Sequence, residues 1–374
     1  MFPGSIVKPG FNPLGTQTGF YTYEPYLFAW GTGSSYQLGL GNSSSYSSPK
    51  QVGLLSNWSV ISTGGNFTAA IKSDGTLWTW GSQSSGQLGL GNRTNYSSPK
   101  QVGALTNWSK VQACNNFCLA IKTDGTLWSW GANNQGRLGL SVVTNYSSPK
   151  QVGSLTNWLY IANSYDCGIA IKTDGTLWAW GGNSLGQVGD GTTIARSSPV
   201  QIGALTSWAR VYTNPRQSVL AIKTDGTLWS WGNNANGQLG LNNRTNYSSP
   251  KQIGALTNWL NFAGAYGAVI GVKTDNSLWS WGQNGNGQLG IGNTTKYSSP
   301  KQVGSLTSWL SVAAGYYFCL ATKTDGTLWS WGVNSTGQLG LGNTTQYSSP
   351  KQVGSAVNWV AVAAQGATSF GTNW

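Results

Sequence analysis

The sequence predicts an all-β chain, a seven-bladed β-propeller of four-stranded antiparallel blades closed by pairing of N- and C-terminal half-blades. Three observations carry this. Trp-Gly recurs at Trp30, Trp80, Trp130, Trp180, Trp231, Trp281 and Trp331, at spacings of 50, 50, 50, 51, 50 and 50 residues. No stretch keeps a helical apolar period, whereas short alternating runs bounded by turn residues fill the chain. The pattern also starts and stops in mid-unit: "PYLFAWG" matches the second half of a unit and the closing "NWVAVAAQGATSFGTNW" matches the first. Two half-units make one blade, and their pairing leaves no open edge at the seam.

One unit, read from Trp309, gives the elements in order. Strand A, "WLSVAAG", is rich in small residues and suits the crowded ring centre. Strand B, "FCLATK", is apolar. "TDGT" is a turn, and Asp-Gly between β-prone runs is a strong hairpin signal. Strand C, "LWSWG", alternates. "VNSTGQLGLGNTTQYSS" reads as a loop, and "PKQVG" as a short strand D opened by its proline. Three tryptophan positions per unit, the third filled in six units, account with Trp374 for all 21 in the 374 residues, so the aromatic content is architectural. Residues 1–20 fall outside the repeat and read as an N-terminal arm; 21–374 form the propeller.

Strand order divides the loops between two faces. The B–C turn and D–A connection share one and hardly vary: "VGALTNW", "VGSLTNW", "IGALTSW". The A–B and C–D loops share the other and differ: "TGGNF", "ACNNF", "ANSYD", "YTNPRQS", "AGAYG", "AAGYYF". A binding site is expected on the individualised face. Its candidates are Asn66, Phe67, Asn116, Phe117, Tyr165, Asp166, Arg216, Tyr266, Tyr316 and Tyr317, with Arg93, Arg196 and Arg244 beside them.

Catalysis is not expected. Of nine acids, six are the turn aspartates Asp74, Asp124, Asp174, Asp225, Asp275 and Asp325, whose carboxylates can accept a backbone N–H two residues on. That leaves Glu24, Asp166 and Asp190. Histidine is absent, so no imidazole base or ligand exists. The glycine-rich loops precede no helix and cradle no phosphate. No metal or cofactor is expected. Cys118, Cys167 and Cys319 are read as one reused small buried position, and Cys114 could face Cys118 across a hairpin. The net charge is +12. Six lysines two residues before the turn aspartates are read as cancelling them. Six more, Lys50, Lys100, Lys150, Lys251, Lys301 and Lys351, form a ring that blunts strand edges, or alternatively meets an anionic partner. The tyrosines before Ser-Ser-Pro are read as loop-packing rather than sugar-stacking.

"WGSQSSGQLGLGN", "WGNNANGQLGLNN" and "WGVNSTGQLGLGN", each preceded by a Lys-Thr-Asp-Gly-like turn, resemble the regulator of chromosome condensation repeats. The resemblance covers residues 21–374 and implies a seven-bladed propeller closed in mid-blade. It also implies a possible activity, guanine nucleotide exchange on a small GTPase. Against that, the uniform spacing leaves no room for the family's wedge. The histidine usual near the start of strand B is also missing, with Phe67, Phe117, Asp166 and Phe318 near its place. The expected function is a non-enzymatic structural or binding ring. The leading expectation is a virion decoration, tail or fibre component, located on the virion or an extracellular surface. It would be held by other structural proteins through residues 1–20 and present its variable face to a host surface or glycan. The alternatives are a cytoplasmic exchange-type regulator and a carbohydrate-binding propeller. Nucleic acid is not an expected partner. No apolar run is long enough to span a membrane, and the start does not read as a secretory signal.

Overall fold

The computed structural model describes residues 25–373, which form seven four-stranded antiparallel sheets. Blade 2 shows the pattern: strand A is Trp58–Thr63, B is Phe67–Lys72, C is Leu77–Gly81 and D is Tyr96–Gln101. Blades 3 to 7 open at Trp108, Trp158, Trp208, Trp259 and Trp309. Blade 1 is the composite. Its C and D strands are Tyr26–Gly31 and Tyr46–Gln51, and its A and B strands are Trp359–Gln365 and Thr368–Asn373. The seam runs in register from Tyr26↔Asn373 to Gly31↔Thr368. A strands of neighbouring blades adjoin around the ring, blade 1 meeting both 7 and 2. The only described helical turn is the three-residue Asn134–Gly136.

Each blade packs both faces on neighbours, which is why strand B is buried along its length rather than alternating. The Trp-Gly tryptophan is the inter-blade clamp. All seven are fully buried, and each indole Nε1 donates at 2.9–3.1 Å to a carbonyl of the preceding blade, that of Gln37, Gln87, Arg137, Gln187, Gln238, Gln288 or Gln338. The glycine two residues after the acceptor is the floor of the socket. At Gly139, φ is +71° and a Cβ would lie 2.9 Å from Trp180 Nε1. The strand-A tryptophan then packs edge-on against both strand-C rings, as Trp108 does with Trp128 (6.0 Å) and Trp130 (6.1 Å).

The turn aspartates are geometry. Asp124 Oδ1 accepts from Thr126 N at 2.9 Å and from Thr126 Oγ1 at 2.7 Å, and that hydroxyl accepts from Trp128 Nε1 at 2.8 Å. The same triplet recurs at Asp74, Asp174, Asp225, Asp275 and Asp325. At the departure "TDNS", Asn276 takes φ +60° in the glycine's stead.

Several expectations need correction. Strand D begins at its tyrosine, and the proline lies inside it. As the outer edge strand it needs no N–H there, and a register shift between Thr79 and Gly81 absorbs the irregularity. The lysines before the turns do not chiefly neutralise the aspartates. Lys122 Nζ lies 3.8 Å from the Trp128 ring centre and 4.9 Å from that of Trp108, and burial lowers its pKa. Cys114 and Cys118 are free: Cys114 pairs with Phe117 and Cys118 with Ala113, which places them on opposite faces of the blade. Cys118 and Cys319 are equivalent, each opposite the clamp tryptophan. Cys167 is opposite Gly181, the place Phe117 has in blade 3. The arm at 1–20 lies outside the described residues.

Candidate functional site on the A–B loop face

Strand B begins differently in different blades. Blades 2, 3 and 7 place Phe67, Phe117 and Phe318 there, all fully buried; blades 4, 5, 6 and 1 place Cys167, Ser218, Ala268 and Thr368. Phe67 and Phe117 are therefore core, not contact residues. Phe67 fills the space against Gly64, where a Cβ would meet its ring. Blade 5 fills the same region with polar groups, Asn214 Oδ1 accepting from Arg216 N at 2.9 Å and Ser218 N at 3.2 Å. The expected candidates Asn66 and Asn116 brace the blade edge: their carbonyls accept from Ser82 N and Ala132 N at 2.9 Å.

The remaining candidates fall into two connected groups. On blades 3 to 5, Asp166 is 5 % exposed, and its carboxylate accepts from Gln187 Nε2 at 3.2 Å and Gln217 Nε2 at 2.8 Å. Arg137 takes a glutamine's place in the repeat, lies over Phe117 and donates to the carbonyl of Tyr165 at 3.2 Å. Tyr165 itself is 46 % exposed. On blades 5 to 7, the Arg216 guanidinium sits 4.6 Å above Tyr266, which touches Tyr317 (5.3 Å) and Tyr316 (5.6 Å). Backbone bonds tie these loops together: Tyr266 N to Tyr316 O at 2.7 Å, and Tyr316 N to Gly366 O at 2.8 Å.

Tyr316 reaches across the ring. Its hydroxyl lies 3.8 Å from where a Cβ on Gly65 would stand, in blade 2. Burial, with Cys114, Tyr165, Tyr266 and Tyr317 nearby, pushes its phenol up to about 12. Gln365 of blade 1 similarly donates to Cys114 Sγ of blade 3 at 3.5 Å. Side chains of non-adjacent blades thus approach one another across the ring. Burial pushes the Cys114 thiol up to about 12 and raises the other three thiols as well, so all stay protonated and unreactive near neutral pH. Asp190 is held by Arg196 at 2.6 Å. Among the described residues no three His, Cys, Asp or Glu side chains gather into a metal-binding group, and no helix is long and apolar enough to cross a membrane.

Sequence reasoning missed Arg137, Gln217, Asn236, Gln283 and Lys296. Arg137 and Lys296 were visible as breaks in otherwise repeated strings. The others depend on which loops the ring brings side by side.

The RCC1-like domain pattern matches residues 26–370. The chain belongs to the RCC1-like domain family. Solved RCC1-like rings superpose along nearly the whole chain. Prp20p from Saccharomyces cerevisiae, studied with its binding to Gsp1p and histones, aligns with TM-score 0.84 at 21% identity, over 94% of this chain and 92% of that one. Yeast RCC1 (Prp20) bound by Kap60 aligns at 0.84 and 22%, over 94% and 89%. Human WBSCR16 aligns at 0.83 and 20%, over 94% and 99%. No curated protein sequence matches this one.

Proposed function

We propose that this RCC1-like ring is a non-enzymatic scaffold that binds a protein partner through its A–B loop face. One observation carries the reading: in a ring of near-identical blades, the departures from the repeat collect on that face and join across blades, as Arg216, Tyr266, Tyr316 and Tyr317 do. Arginine and tyrosine are the residue types that anchor interfaces. The described loops of this face hold the cations Arg93, Arg137, Arg196, Arg216, Arg244 and Lys296 against the acids Asp166 and Asp190, so the face is positive.

Prp20p binds Gsp1p and histones, and protein binding of that kind supports the reading here. The family's exchange activity makes a small GTPase the first partner class to test. A basic histone is a poorer electrostatic match for a positive face. The virion placement expected from the sequence gains no support from these relatives. The test places a photo-crosslinking residue at position 165 or 317, and at position 205 on the opposite face, with nucleotide release followed in parallel. Crosslinks to a partner from 165 and 317 alone support the reading, and faster release makes the ring a regulator. Crosslinks from position 205 alone would overturn it.

A further inference from the structure

We propose that the junction of blades 5 and 6 at Gly267 on this face is a carboxylate-binding subsite, the anchor point for an acidic side chain or C-terminus of the protein partner; this rests on the protein-binding reading above. Gly267 is buried at φ +79°, and its absent side chain leaves a point on which three loops converge. From a Cβ placed there, Asn236 Nδ2 is 3.0 Å away, Arg216 Cδ 3.4 Å and Gln283 Cβ 3.5 Å.

Asn236 is 6 % exposed, and its Nδ2 has no hydrogen-bond partner. A buried donor left unmade is costly and calls for an acceptor oxygen. The other end of the amide is already used, since Asn236 Oδ1 accepts from Lys296 Nζ at 3.3 Å. Gln283 is half-buried, and its buried Oε1 is also unpartnered; turned over, that amide presents a second donor.

Lys296 is the second, independent pointer. Blades 2, 3 and 5 have Asn95, Asn145 and Asn246 at its position, each accepting a backbone N–H of its own C–D loop at 2.7–2.8 Å. An ammonium cannot accept. Blade 6 gives up that brace and sets a cation against blade 5 instead. Arg216 sits in the one A–B loop with an extra residue, and its plane over Tyr266 holds the guanidinium at the rim. Two cations and a buried amide donor have no carboxylate against them: among the described residues the one ion pair is Arg196–Asp190. A planar carboxylate can take the Asn236 N–H on one oxygen and a cation on the other.

The test uses the full chain. Side-chain amide and guanidinium NMR signals are followed while succinate, inorganic phosphate, and a peptide carrying Glu or its Gln counterpart are added. Succinate and the Glu peptide are expected to shift the Asn236 and Arg216 signals saturably, with the Gln peptide silent. A Glu peptide tighter than succinate identifies a protein source; succinate alone would overturn that source. Arg216→Gln and Lys296→Asn, the latter restoring the asparagine of blades 2, 3 and 5, should each weaken binding about tenfold or more. No carboxylate-dependent shift, unchanged affinity in both variants, or phosphate binding more tightly than succinate would overturn the subsite. The crosslinking result above would stand regardless, so the two readings can fail separately.

Discussion

The two faces of the ring are built from the same strands and solve the same closure problem, yet they use side chains differently. On the B–C turn face, each aspartate is fixed by a Thr or Ser two residues on, and the Trp above it bonds that hydroxyl, identically in six blades. On the A–B loop face, the first residue of strand B is phenylalanine in three blades and Cys, Ser, Ala or Thr in four. In blade 2 the phenylalanine ring fills the space beneath its loop, against Gly64. In blade 5, where the residue is Ser218, Asn214 occupies that region with hydrogen bonds instead. The repeat thus stabilises the ring from one side and the clamps, which frees the other side to diverge.

That contrast can be broken or sharpened by substitution. The largest expected effect is at Phe117. Phe117→Ala removes a fully buried ring and should cost about 3–5 kcal/mol, whereas Ser218→Ala at the equivalent place in blade 5 should stay within about 1 kcal/mol, since its buried Oγ has no partner to lose. Denaturant midpoints measured on both decide it; equal costs would mean the polar blades are as tightly packed as the plugged ones. Next come two glycines with similar backbones. Gly139→Ala drives a Cβ into Trp180 and should cost about 1–3 kcal/mol by thermal melting; Gly153→Ala, at φ +62° with nothing within 4 Å, should cost about 1 kcal/mol.

Smaller still is the turn aspartate. Asp124→Ala loses two accepted hydrogen bonds and should destabilise by about 0.5–1.5 kcal/mol, with Asp124→Asn retaining most of the stability. The smallest effect is a pH dependence. Hydrogen bonds from the Thr or Ser hydroxyl and N–H hold all six turn carboxylates below their ordinary value. A depressed folded pKa gives stability that is present above the unfolded value, about 3.9, and lost as pH falls through the folded one. Stability should therefore decline below about pH 4, and replacing all six by asparagine should flatten that decline in acid melting curves.

Much of this was legible in the sequence because repetition exposes it. Trp-Gly spacing gave blade number, the split unit at the ends gave the seam, and Asp-Gly marked every hairpin. Errors came where a single residue's offset or a third dimension mattered. Cys167 was taken as equivalent to Cys118, though it aligns with Phe117 across the blade. Phe67 and Phe117 were taken for surface because they border variable loops, and both point inward. The lysines before the turns were paired with aspartates by proximity in sequence, but the nearby indole faces hold them.

The sequence by itself determined the ring: hydrophobic period, turn chemistry and repeat length are local properties, and seven copies of them leave one way to close. The tertiary structure alone decided which departures from the repeat meet. Asn236, Gly267 and Lys296 are separated by about thirty residues each and belong to two blades, yet they meet at one point. Their meeting depends on how each blade's loop overlaps the next, a long-range distance that no local pattern encodes.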